Sequence, residues 1–128
     1  MEIIKIVILS LSSLMLLFVG TMRLINPKKT YAKNSGITLD DDVNLLNEIR
    51  GVSAVMLFGG LIILLGTLIP ELAITSFTIA ILIFLGFALG RLLSISLDGK
   101  PNKQIIQGLI FELVFSTANI LCLIYTLV

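Results

Sequence analysis

Residues 84–119 read FLGFALGRLLSISLDGKPNKQIIQGLIFELVFSTAN, from Phe84 to Asn119. Two apolar stretches flank the segment Asp98-Gly99-Lys100-Pro101-Asn102, whose Gly and Pro mark a tight turn. Each flank is long enough to form a helix that crosses hydrocarbon, and a short turn makes such helices antiparallel neighbours. Arg91 stands ten positions before Pro101 and Glu112 eleven after it. At ~1.5 Å of rise per residue the two lie at nearly equal depth, several ångströms inside the apolar layer. Opposite charges at one depth on adjacent helices are placed to pair, and a full charge inside such a run needs a physical reason to be there.

The rest of the chain extends this pattern. Of 128 residues, 57% are hydrophobic and 13% charged, with a mean hydropathy of +1.11. Soluble domains carry about 25% charged residues, so this chain lacks the polar side chains to cover a soluble core. The apolar residues fall into four runs, at about 3–25, 43–69, 72–97 and 103–127, each near the ~20 residues that span a bilayer. The expected fold is a single all-α membrane domain, an antiparallel up-down bundle of four transmembrane helices.

The first run begins like a signal peptide. It is long, however, and no A-x-A-like cleavage site follows, so it reads as a retained helix. Asn26-Pro27 ends it, because Pro supplies no helix donor and disfavours helix in the preceding residue. Residues 26–42 then read as the one sizeable loop. Within it, Asn34-Ser35-Gly36 is turn-like, and Asp40-Asp41-Asp42 reads as the N-cap and first turn of the second span. Three adjacent Asp residues do not converge on a metal ion without a folded loop.

Loop charge predicts orientation. Arg23, Lys28, Lys29, Lys33, Arg50, Lys100 and Lys103 gather at the end that carries the long loop, and Lys5 stands alone at the other. The positive-inside rule then places the loop in the cytoplasm and both termini outside, in the cell membrane. The same bias argues against the dual topology used by some four-span multidrug exporters.

Several classes of chemistry are excluded or disfavoured. A net charge of +1 provides no field for nucleic acid. With no His, and with Cys122 as the lone thiol, the usual zinc, haem and di-iron arrangements cannot be assembled, and one chain can form no disulfide. No metal site and no cofactor is expected. Any chemistry would come from carboxylates, Arg, Ser or Tyr, and no nucleophile–base pair accompanies them. No catalytic residue is assigned, which argues against an enzyme.

Helical periodicity groups the remaining polar residues. On the third span, Gly86, Gly90, Arg91, Ser94 and Asp98 occupy one sector, and on the fourth, Gly108, Glu112, Ser116 and Asn119 do so. The spacing Gly86-x-x-x-Gly90 predicts close approach of a neighbouring helix. On the second span Asn44, Asn47, Glu48 and Gly51 share a face, while Arg50 points away to another helix or to headgroups. Glu48, Asp98 and Glu112 balance Arg23, Arg50 and Arg91, which suggests one charged network. The candidate ligand-binding or buried polar residues are thus Asn47, Glu48, Arg50, Arg91, Ser94, Asp98, Glu112 and Ser116. A loose internal repeat links Gly20–Ile25 with Leu89–Leu93 and Glu48–Ala54 with Glu112–Ala118, as two related hairpins.

The order of N-E-I-R-G at Asn47–Gly51, G-R-L-L-S-I-S-L-D-G-K-P at Gly90–Pro101 and the lone Glu112 resembles the bacterial domain of unknown function 4345 family. Asn26-Pro27 and Gly36-Ile37 also fit, so the resemblance covers nearly the whole chain. It implies a compact four-helix membrane protein and supplies no substrate. A fainter likeness, at the start of the second span, is to the small four-span scaffold of the sterol-synthesis complex. The expected role is to bind a lipid or small polar ligand at a charged pocket in the cytoplasmic half of the bundle. The alternatives are a scaffold for membrane-protein partners or a homo-oligomer, and a small transporter or membrane enzyme.

Overall fold

The computed structural model describes residues 2–128. Five α-helices make up the described chain: α1 (Glu2–Ile25), α2 (Pro27–Ser35), α3 (Val43–Leu68), α4 (Ala73–Asp98) and α5 (Lys103–Leu127). The four long ones are apolar enough to cross a membrane. Their 24–26 residues correspond to about 36–39 Å, somewhat more than the ~30 Å hydrocarbon core. Only 22–33% of the most apolar window of each lies buried inside the bundle. The outward side chains are nonetheless apolar, with Phe18, Phe58, Leu82 and Leu121 all largely exposed. A helix that is hydrophobic all round is one whose outer face meets lipid, and this is the architecture of a multi-pass membrane protein.

Neighbouring long helices run antiparallel. α1 packs along α3, α3 along α4, and α4 along α5, whereas α1 meets α4 and α5 only thinly. The core comprises Leu9 and Leu16 of α1, Met56 and Ile63 of α3, Phe77 and Phe84 of α4, and Cys122 of α5. Phe84 stacks on Phe115 with ring centroids 5.0 Å apart. Ser76 donates across to the Ile62 carbonyl at 2.9 Å, and the fully buried Asn119 donates to Ser12 at 3.0 Å. Such bonds between helices compensate polar groups that lipid cannot solvate.

The helix ends follow their sequence signals. The Asp42 carboxylate accepts the Asn44 N–H at 2.9 Å and caps α3. Asn102 caps α5 by accepting the Ile105 N–H at 2.9 Å. Pro70–Leu72 forms a single 3-10 turn between α3 and α4.

The connection at residues 26–42, expected as loop throughout, contains α2. Its sequence, PKKTYAKNS, has no apolar periodicity, so tertiary bonds are what hold it. Pro27 starts it at a position where a missing N–H costs nothing. The Thr30 hydroxyl serves the Met22 and Asn26 carbonyls at the junction with α1. Gly36, at φ 65°, closes it in the left-handed conformation, which glycine adopts without a Cβ penalty. Two side chains from the start of α5 then take its last carbonyls: Asn102 Nδ2 donates to Ser35 O and Gln104 Nε2 to Lys33 O, each at 2.9 Å. Thus α2 folds back beneath the bundle, at the loop end.

Candidate binding cleft

The Arg91 Nε donates to Glu112 Oε1 at 2.8 Å, with the side chains 28% and 13% exposed. Depth counting from Pro101 predicts this pairing, and α4 and α5 form the hairpin that delivers it. Among the described residues, Nε is the only Arg91 side-chain atom that donates a hydrogen bond, so the outer edge of the guanidinium is left for another acceptor. One turn along α5, the buried Ser116 returns its hydroxyl to the Glu112 carbonyl at 2.6 Å.

Beside this pair lies a cleft where α1 stands apart from α4 and α5. Its cavity has a volume of about 260 Å³. Met15, Leu16 and Val19 of α1, Met56 of α3 and Phe84 and Phe87 of α4 form an apolar upper part. Arg23, Arg91 and Glu112 line it with charge, and Asn34, Ser35, Gln104 and Gln107 add amides and a hydroxyl. A second cavity of about 350 Å³ shares Arg23, Ser35, Phe87, Arg91 and Ile105 and extends past Val52, Gly86, Gly90 and Ser94, between α3 and α4. The two cavities, the first and second lobes of the cleft, share both arginines in their walls.

The glycines explain the room. A Cβ placed on Gly86, Gly90 or Gly108 would meet nothing within 4 Å. The close helix approach expected at Gly86-x-x-x-Gly90 is therefore absent, and these glycines wall the lobes instead. Close approach occurs elsewhere. A Cβ on Gly20 would lie 2.8 Å from the Leu57 backbone nitrogen, and one on Gly60 would lie 3.0 Å from that of Leu17. Helical spacing identifies a face lined by glycine, but it says nothing of what stands opposite.

The expected network of three carboxylates and three arginines does not assemble. Asn47 and Glu48 are exposed in the first turns of α3. Arg50, also exposed, donates to the Leu24 carbonyl in the last turn of α1, a favourable place for a cation. Asp98 is the last residue of α4 and accepts from Ser94 at 3.0 Å, both exposed. It stands seven residues beyond Arg91, about 10 Å along the helix. Of the eight candidate positions, Arg91, Glu112 and Ser116 come together, and Ser94 edges the second lobe.

Sequence reasoning used Arg23 for orientation and as a balancing charge and left it out of the site. It is partly buried and lines both lobes. Its guanidinium lies 4.7 Å from the centre of the Tyr31 ring, a cation–π distance, and approaches Met56 Sδ at 4.0 Å. The Arg23 Nε is buried with no hydrogen-bond partner. Tyr31 reaches Arg23 only because α2 turns back, and no local pattern announces that. Among the described residues no cluster of three His, Cys, Asp or Glu side chains is placed to hold a metal ion.

A family model described as "domain of unknown function (DUF4345)" matches residues 4–123, which include the four long helices almost whole and every residue of the cleft. The chain belongs to this family. Membership in DUF4345 agrees with the order of motifs from Asn47 to Glu112 and brings no ligand or reaction with it. No curated protein and no solved structure shows significant similarity to the chain.

Proposed function

We propose that this protein is a membrane-embedded binding protein whose ligand, a lipid or small polar molecule, occupies the cleft at the loop end of the bundle. The observation that carries this reading is the cavity of about 260 Å³ with hydrocarbon walls above and two arginines, a glutamate and several amides below. Sites for small ligands combine a largely apolar enclosure with a few convergent polar groups. Open space at Gly108, in the wall of this cavity, supports the same reading, since helices without an occupant gain dispersion by closing up. Charge at Arg91 and Glu112 supports binding over catalysis, because the pair is neutralised internally and no nucleophile adjoins it.

Mass spectrometry of the intact protein released from mild detergent tests the reading. Wild type is expected to retain a non-covalent ligand. Gly108→Leu, which adds a side chain to the wall of the first lobe at a position whose Cβ meets no atom within 4 Å, is expected to lose it while folding normally. A co-purifying protein at equal stoichiometry, with no small molecule, would transfer the assignment to a membrane scaffold.

The loop end is proposed to face the cytoplasm, on the basis of its seven cations against Lys5 alone. Ser35 is buried under its bond to Asn102, so the exposed Asp40 is the better reporter position. Cysteines at Asp40 and Glu71, in a Cys122→Ala background, are expected to label from opposite sides of the membrane. Labelling of position 40 by an impermeant external reagent would reverse the orientation.

A further inference from the structure

We infer that the cleft holds an anionic amphiphile, with a phosphate or carboxylate headgroup between Arg23 and Arg91 and its chain leaving over Gly86 and Gly90. This inference rests on the binding role proposed above and adds the chemical class of the ligand. Its first support is the balance of charge. Two guanidinium groups and one carboxylate line the cleft, and the carboxylate of Glu112 is engaged by Arg91. Arg23 has an aromatic face and a thioether as neighbours, and its buried Nε has no acceptor. An unsatisfied cationic donor at this depth is costly. A neutral ligand can accept a hydrogen bond but leaves the positive charge uncompensated, and a cationic one adds to it. An oxyanion at the open edges of the two guanidinium groups offsets that charge, because guanidinium geometry matches phosphate and carboxylate.

The second support is the shape of the space. Arg23 and Arg91 line both lobes, so a headgroup held by them has apolar room beside it. The second lobe runs between α3 and α4 past Val52, Gly86 and Gly90, all exposed on the outer surface of the bundle. In a bilayer that opening faces hydrocarbon, where an acyl chain can leave without entering water. Gln104 and Gln107 sit on the opposite, loop-side rim, within a polar setting suited to headgroup hydroxyls. A free anion would use the arginines and leave the apolar lobes without purpose.

The test places the full chain in bilayer discs of equal parts phosphatidylcholine and phosphatidylglycerol and reads the lipid retained on release. Wild type is expected to retain phosphatidylglycerol selectively. Arg23→Gln is expected to lower that retention roughly tenfold or more, the weight of a charge-assisted contact, and Arg23→Lys to restore part of it. Gly90→Leu is expected to abolish retention with a melting temperature no lower than that of wild type, because a Cβ there meets no atom within 4 Å and leucine is the better helix former. If Arg23→Gln fails to fold, wild-type selectivity and Gly90→Leu decide the matter.

Equal retention of the two lipids, indifferent to Arg23→Gln but lost in Gly90→Leu, would overturn the anionic inference and leave the binding role standing. Inorganic phosphate that protects against thermal unfolding as well as the lipid does, with no effect of Gly90→Leu, would overturn the amphiphile and identify a soluble anion. Retention of no lipid and no protection by phosphate would overturn the inference and remove the support for the binding role together.

Discussion

The hairpin of α1 and α3 and the hairpin of α4 and α5 use the same residue to opposite ends. In the first, Gly20 and Gly60 bring two backbones so close that a Cβ at Gly20 would collide with the partner helix and one at Gly60 would press tightly against it. In the second, Gly86, Gly90 and Gly108 face open space, and the helices are tied by Arg91 and Glu112 instead. The first hairpin has a like-placed arginine and glutamate, Arg23 and Glu48, but they do not meet. Glu48 is exposed, while Arg23 turns to Tyr31. One half of the bundle thus spends small residues on contact, and the other keeps them as room. In a membrane this difference matters, because lipid tails are as apolar as the side chains and helices associate through close packing and polar bonds.

The largest effect that could break this contrast lies at the first seam. Gly20→Leu or Gly60→Leu should prevent stable assembly, and Gly20→Ala should cost about 1–3 kcal/mol, the usual range for overpacking. The buried Cys122 is the only thiol, so a thiol-reactive dye followed during heating reports the loss directly. Unchanged melting of Gly20→Ala would mean that the seam is looser than described.

Next comes the ion pair. Arg91→Ala and Glu112→Ala should each destabilise by about 1–3 kcal/mol, below the 3–5 kcal/mol of fully buried pairs, because both side chains retain some exposure. The double change Arg91→Leu with Glu112→Leu should recover much of that loss. Additive effects in the double variant would show that the two residues do not couple.

A smaller effect of opposite sign is expected at the second hairpin. Gly86→Ala and Gly90→Ala add a methyl group to free space and remove a poor helix former, so each should raise stability by up to about 1 kcal/mol. A loss at either position would place another helix or a subunit against that face. The smallest effect should come from Glu48→Gln and Asp98→Asn, whose exposed carboxylates should change stability by no more than about 0.5 kcal/mol.

The spans, their antiparallel order and the Arg91–Glu112 pair were legible in the sequence. Hydrophobic run length, Asn26-Pro27, the Asp98–Asn102 turn and depth counting are local signals, and each maps directly onto geometry. What was not legible depends on partners distant along the chain. α2 needs Asn102 and Gln104, some seventy residues away, and a polar nonapeptide gives no periodic signal of its own. The role of Arg23 depends on α2 in turn. The glycines at 86 and 90 carried a packing signature that their surroundings do not use, because they line the second lobe and no neighbouring helix comes within reach of a Cβ there.

Asn102 does two things with one amide. Its oxygen holds the first turn of α5 and its nitrogen holds the last turn of α2. Truncating that one side chain would therefore remove both at once, the cap of a long membrane helix and an anchor of the short polar one, so the two ends of the loop-side face stand or fall together.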